Sequence, residues 1–445
     1  MRHRVIASPL PHWIDPADAY RGIVGDATGA FWLDSGANAT TGMSYLGLAD
    51  SVVTRFNGPV LDWLGAELDR EIDTTDAPPG FTLGLVGWLG YELRAETMGT
   101  PATREARYPR AAWLRVNRCL AFDHERRQVL LLALVPDGAE PWTGEAGAWR
   151  AMMLERVREH PSSLPAHDPP PTPATWAYTD AEYLAKIEAC QAAIVEGDAY
   201  QLCLTTEATV PVSPDPVATY LALRALSPSH HGALVRAGEV SLLSASPEQF
   251  LTVTPDRVVE SRPIKGTRAR GDTPAADAVL REQLESSDKE RAENLMIVDL
   301  MRNDIGRIAE VGSVTVTSLL AVESYAQVHQ LVSTITGTLA DGLGPMDAVR
   351  ACFPAGSMTG APKHSATLIL DALEQRPRGI YSGAFGYLGF DGRVDLAMVI
   401  RSIVIDRESA TVGTGGGITA LSDPREELAE AKLKAAALLR VLGAA

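Results

Sequence analysis

Lys265 lies in the run Ser261-Arg262-Pro263-Ile264-Lys265-Gly266-Thr267-Arg268-Ala269-Arg270-Gly271, with its amine between an apolar residue and a glycine. A small molecule can approach a backbone closely where a glycine carries no side chain. A lysine crowded by other cations, here Arg262, Arg268 and Arg270, is a candidate nucleophile. The same run also reads as a surface strand whose basic side chains reach into water. Glu248, in Ser246-Pro247-Glu248-Gln249-Phe250, stands beside a turn proline and before an apolar stretch. It is either an acid whose carboxyl is kept protonated by burial or a solvated loop residue.

Two further groups carry carboxylates three residues apart. Glu290 and Glu293 share one helix face in the first, and Glu427 and Glu430 share one in the second, with Lys434 a further turn along. Brought together, four carboxylates make a hard oxygen site suited to Mg²⁺. Ser287-x-x-Glu290 is also a capping box, and Asp423-Pro424 a helix start, so each pair has a purely structural account. Gly415-Gly416-Gly417 follows an apolar strand and either cradles an anion or makes a turn. Arg401 sits in Met398–Ile405, which reads as an apolar strand; its guanidinium there requires a salt bridge or a carboxylate ligand. Gly356–Lys363 lacks Walker spacing, but it can present Thr359 and backbone donors at a helix start.

These residues need a scaffold of mixed type. Periodicity predicts helices over Tyr183–Glu196, Asp288–Met301 and Glu426–Leu442. Strands are expected near Glu239–Ser244, Gln249–Thr254, Val311–Ser318, Ala384–Phe390, Leu396–Asp406 and Ala410–Gly413, an α+β pattern without regular βαβ alternation. Buried strands are also expected within Phe81–Gly90 and Gln128–Val135. A proline-rich segment, 161–178, reads as a linker or exposed loop between an amino-terminal region, 1–160, and a catalytic region, 179–445. The 445 residues suffice for two or three domains or for one large fold. A net charge of −16 argues against a nucleic-acid partner, and an anionic substrate would need local cations or a divalent metal. No apolar run is long enough to span a membrane, and four cysteines without metal spacing suggest a reduced, cytoplasmic protein.

Taken in order, the motifs from about Asp180 to Leu442 resemble the chorismate-utilising enzymes. These include anthranilate, aminodeoxychorismate, isochorismate and salicylate synthases. The match includes Gly197–Gln201, Ser246-Pro247-Glu248, Arg262–Arg268, Lys289–Asp304, Phe353–Lys363, Tyr381–Gly386, Arg401, Gly415–Gly417 and Glu427–Lys434. The resemblance implies two antiparallel sheets packed as a β-sandwich, surrounded by helices, with the active site in a cleft. It implies Mg²⁺ held by Glu293 and Glu430 with Glu290 and Glu427 in support, and chorismate bound by Gly266, Thr267, Tyr381, Arg401, Gly415, Gly416, Gly417 and Lys434. Glu248 matches the general acid. Lysine at position 265, where relatives making anthranilate, isochorismate or salicylate typically carry alanine, points to amination of chorismate through a covalent lysine adduct. The product would be 4-amino-4-deoxychorismate, for 4-aminobenzoate and folate synthesis. The ammonia is expected from a separate glutamine amidotransferase subunit. The alternatives are direct formation of anthranilate and pyruvate, and a catalytically silent protein that binds chorismate or tryptophan. Ser35 matches a serine of a tryptophan pocket in relatives, although Ser229–Ala233 departs from that pocket's partner segment. Relatives carry histidine where Gln330 stands, with His329 one place earlier.

Overall fold

The computed structural model describes residues 2–25, 27–157, 167–325 and 328–444. Among these, thirteen strands form one sheet and ten form a second. Every pairing is antiparallel except that of His3–Pro9 with Ile72–Asp73. This is the expected α+β sandwich.

Alternation within single strands explains the layers. In Gly29–Asp34, Phe31 and Leu33 face inward, where they meet Val86, Trp88 and Tyr387 of the other sheet. Trp32 points the opposite way, between Tyr20 and Tyr220, with ring centroids 5.6 and 5.2 Å away. Helices cover that outer face, as helices Val60–Leu68, Asp288–Gly306 and Pro345–Cys352 cover the outer face of the second sheet. Because both faces of each sheet are buried, central strands such as Gly84–Leu89 are buried at every residue and read as unbroken apolar runs.

Both sheets draw strands from either side of the proline-rich segment. Gly29–Asp34 pairs with His231–Ala237, and Gly84–Leu89 pairs with Ala384–Gly389. Residues 161–166 lie outside the described residues. From His167 onward the segment is docked: His167 contacts the Val441 carbonyl, Thr172 donates to the Gly443 carbonyl, and Thr175–Trp176 adds a short edge strand. No described helix is long and apolar enough to cross a membrane, and all four cysteines are free and buried.

Three expected strands are corrected. Val311–Ser318 becomes Thr315–Ser324, because Glu310–Ser313 closes a turn. Leu396–Asp406 is two strands in different sheets: Val394–Met398 joins the ten-stranded sheet and Ser402–Ile405 the thirteen-stranded one. The strand expected to stop at Gly413 runs on through the glycines to Ile418. Uniform apolarity hid the first break, and glycine's weak strand preference hid the extension.

Those glycines are required by packing. A Cβ on Gly413 would lie 2.1 Å from the Tyr381 ring, whereas one on Gly306, in a helix, would meet nothing within 4 Å. Gly413→Ala is therefore expected to destabilise the protein by about 1–3 kcal/mol. Gly306→Ala should be neutral or stabilising by up to about 1 kcal/mol. Denaturant titration of the two variants checks the contrast.

Candidate active site

Each helix that carries a glutamate pair starts at a defined cap. Ser287 accepts from the Glu290 amide, and Asp423 accepts from the Arg425 and Glu426 amides, with Pro424 opening the second helix. Both helix starts are as expected, but the capping box is only half formed, because the Glu290 carboxylate pairs with Arg268 instead of returning to the Ser287 backbone. Glu290, Glu293, Glu427 and Glu430 all face one cavity of about 380 Å³.

The same cavity is lined by Lys265, Glu248, Gly266, Thr267, Tyr381, Arg401, Gly415, Gly416, Gly417 and Lys434. The sequence-predicted catalytic, binding and metal residues are thus brought together in one place. Ser35 is elsewhere, in a separate cavity of about 330 Å³ shared with His230 and His231, and its hydroxyl donates to the Met43 carbonyl. Of the adjacent pair, Gln330 lines the main cavity. His329 is turned away, bonded to Ser324 at 2.8 Å and Asp277 at 2.9 Å.

Lys265 sits on the strand Ile264–Ala269, its side chain only 14% exposed and its Nζ 3.7 Å from Glu293. The expected crowding by cations is not found. Arg262 pairs with Glu323, Arg268 with Glu290 and Arg270 with Asp277, so each neighbour is neutralised by its own acid. Gly266 has φ +80°, and a Cβ there would come within 2.8 Å of Glu290 Oε2, so this position admits glycine alone without strain.

Carboxylates and cations alternate around the wall. Lys289 lies 3.4 Å from Glu427 and Lys434 2.7 Å from Glu430. Burial raises the Glu293 carboxyl above its ordinary range, against the pull of Lys265 and Lys289. Burial acts on Glu430 in the same sense, but Lys434, Lys289 and Lys265 together bring it below that range. Among the described residues no three carboxylate, histidine or cysteine side chains are gathered closely enough to hold a metal ion. The donor chemistry nevertheless fits a hard divalent cation: carboxylates from two helices face one cavity, Glu293 and Glu430 each beside a lysine.

Burial pushes the Glu248 carboxyl up to about 7, opposed by a hydrogen bond from Ser357 and the charge of Lys265. This is the range a proton donor needs near neutrality. Arg401 occupies the crossover between the two sheets with φ +51°, a backbone conformation costing about 1–2 kcal/mol for a residue with a Cβ. Its Nη1 donates to the Lys434 carbonyl at 3.4 Å, and among the described residues no carboxylate lies within ion-pair distance. The structural salt bridge is thereby removed as an account of Arg401, and a fork able to bind a ligand carboxylate remains.

The glycine triplet is a wall, not a turn. It pairs with Cys203–Thr205, and a Cβ on Gly415 would lie 2.2 Å from the Leu204 carbonyl oxygen. A Cβ on Gly417 would lie 2.0 Å from Gln201 Nε2 and 3.5 Å from Lys265 Nζ. Sequence reading missed Gly413, Cys203, Gln330 as a lining residue, and Ser357, which takes the place expected for Thr359. The Thr359 hydroxyl donates instead to the Ala355 carbonyl. It also passed over Gln201, buried behind Gly417, whose Oε1 has no hydrogen-bond partner. The matched run Gly197–Gln201 was the only signal that could have pointed to it.

The family described as chorismate binding enzyme matches residues 29–440. The chain belongs to this family. It is 41% identical to an aminodeoxychorismate synthase of Streptomyces pristinaespiralis over 96% of this chain, and it spans 64% of that relative's length. It is 34% identical to anthranilate synthase component 1 of Streptomyces coelicolor, covering 96% of this chain and 86% of the relative. Among solved structures, anthranilate synthase component I from Streptococcus pneumoniae superposes with a TM-score of 0.72 at 27% identity, covering 96% of this chain and 92% of the other.

The geometry makes a prediction that needs no substrate. Infrared difference spectra of the protein should contain a carboxylic-acid band that titrates near pH 7 and is absent from Glu248→Gln. A band that titrates in the ordinary carboxylate range would contradict the burial of Glu248.

Proposed function

We propose that this chain aminates chorismate with ammonia to give 4-amino-4-deoxychorismate, the precursor of 4-aminobenzoate, and that it does so through a covalent bond to Lys265. The observation that carries the reading is the placement of the Lys265 amine and the near-neutral Glu248 carboxyl in one cavity, walled by glycines and holding an unpaired Arg401. The 41% identity to a protein named aminodeoxychorismate synthase supports it. As part of the same proposal, ammonia delivery is assigned to a separate glutamine amidotransferase subunit.

The Lys265 amine attacks ring carbon C2, and the electrons of the conjugated diene shift toward C4. The C4–O bond breaks, and the hydroxyl leaves as water with a proton from Glu248. Ammonia then forms a bond at C4, the diene shifts back, and the Nζ–C2 bond breaks to release the lysine. The proton lost by the added nitrogen returns to Glu248. Arg401 binds a substrate carboxylate, and Lys434 adds positive charge beside the glycine wall. The orphaned Gln201 Oε1 offers an acceptor to an N–H donor near that wall. Glu293 and Glu430 would hold Mg²⁺, supported by Glu290 and Glu427; when bound, the ion neutralises carboxylate charge on the substrate.

Relatives named anthranilate synthase component 1 match over most of their length, which favours direct formation of anthranilate and pyruvate as the second reading. Purified protein with chorismate, Mg²⁺ and ammonium separates the two. The first reading predicts a product that becomes 4-aminobenzoate only after an added lyase. Anthranilate with pyruvate would establish the second, and stabilisation by chorismate without turnover would indicate a silent binder. Lys265→Ala should abolish or redirect product formation.

Two quantitative outcomes accompany this assay. Arg401→Gln removes a charge-assisted hydrogen bond worth about 1.5–3 kcal/mol, so chorismate should bind roughly ten- to a hundredfold more weakly in calorimetry. Glu248 must carry its proton to act, so kcat should fall as pH rises through about 7. A profile that stays flat well above that value would remove Glu248 from the acid role.

A further inference from the structure

Asp304 and Lys363 form an ion pair whose side chains are only 4% and 11% exposed, yet neither lines the cavity. Burying two charges commonly costs more than their attraction returns, so the pair calls for a role beyond stability. Asp304 lies on the helix Asp288–Gly306, which also carries Glu290 and Glu293. Lys363 opens the helix Lys363–Glu374, and its Nζ also donates to the Cys352 carbonyl at 2.9 Å. The pair thus ties both ends of residues 353–362 to the carboxylate-bearing helix.

The segment between is held at further points. Thr97 donates to the Phe353 carbonyl at 2.8 Å, Arg378 to the Met358 carbonyl at 2.6 Å, and the Cys203 amide to the Thr359 carbonyl at 2.8 Å. Gly356 packs so tightly on Leu300 of the same helix that a Cβ would come within 2.5 Å of it. At the top of this clamped segment the short turn Gly356–Met358 presents Ser357 to the cavity that Glu248 also lines, where its hydroxyl opposes the upward push of burial on the Glu248 carboxyl. The charged group acting on Glu248 is Lys265, from the strand Ile264–Ala269; Glu293 and Arg401 line the same cavity. The strand Val394–Met398, behind Glu248, supplies only the Met398 amide to its backbone carbonyl.

We propose that Asp304 and Lys363 are a positioning pair that clamps the turn Gly356–Met358 to the glutamate-bearing helix and so holds the Ser357 hydroxyl against Glu248. The proposal rests on Glu248 being the acid and adds the device that fixes a hydroxyl beside it.

Ser357→Ala removes a donor to the ionised carboxylate, so Glu248 should hold its proton more tightly. Its titration and the alkaline limb of kcat should move up by roughly half to one pH unit. Asp304→Leu combined with Lys363→Met replaces the pair by apolar groups of similar size, a change that buried pairs generally tolerate. This double variant should reproduce the shift of Ser357→Ala and lower kcat by about tenfold, with KM for chorismate within about twofold. Lys363→Arg should keep wild-type behaviour. The Glu248 infrared band, followed without substrate, reads the same shift and does not depend on which reaction the protein runs. An unmoved band in Ser357→Ala, or a double variant with wild-type titration and kcat, would overturn the proposal. A Glu248→Gln variant with full turnover would instead overturn the acid role and leave the band shift as the test of the clamp.

Discussion

Five cationic and five carboxyl side chains share one cavity, and keeping that much charge partly out of water is the constraint to which the surrounding structure answers. The charges are not pooled by sign. Lys265 faces Glu293, Arg268 faces Glu290, Lys289 faces Glu427 and Lys434 faces Glu430. Two groups are left out of this pairing. Arg401 has no acid partner among the described residues, and Glu248 meets the cost of burial by holding a proton to about pH 7. The cavity therefore offers one free positive fork and one protonated acid within a protein whose net charge is −16.

Backbone geometry makes this arrangement possible. The wall opposite Lys265 is a strand with no side chains at Gly413 and Gly415–Gly417: Tyr381, the Leu204–Thr205 backbone and Gln201 fill the space a Cβ would need at Gly413, Gly415 and Gly417, and Gly416 faces the Glu427 carboxylate. Arg401 reaches the cavity because the chain leaves one sheet and enters the other at that residue, with a strained backbone. The strain is local, and the sheets on either side hold it in place.

The local features were legible in the sequence. The caps at Ser287 and Asp423 and the three-residue spacing of the glutamates fixed two helix faces, and both face the site. What the sequence hid was non-local. An apolar run cannot announce that it changes sheets at Arg401, and a glycine triplet looks the same in a turn as in a paired strand. The basic run around Lys265 looked like crowding because its partners, Glu323, Glu290 and Asp277, are distant in sequence or on other elements. Ser357 lies two residues before the expected Thr359, and only the clamped segment shows which hydroxyl faces the cavity. The proline-rich segment divides the sequence, yet strands from both sides share both sheets.

The central claim is that Lys265 forms a bond to chorismate. Intact-protein and peptide mass spectrometry after incubation with chorismate and Mg²⁺, with ammonia withheld, tests it most directly. The account predicts an added mass equal to chorismate less one water, located on the peptide that contains Lys265, absent from Lys265→Ala and lost when ammonium is supplied. An unmodified Lys265 peptide in protein that aminates chorismate at the full rate would contradict it.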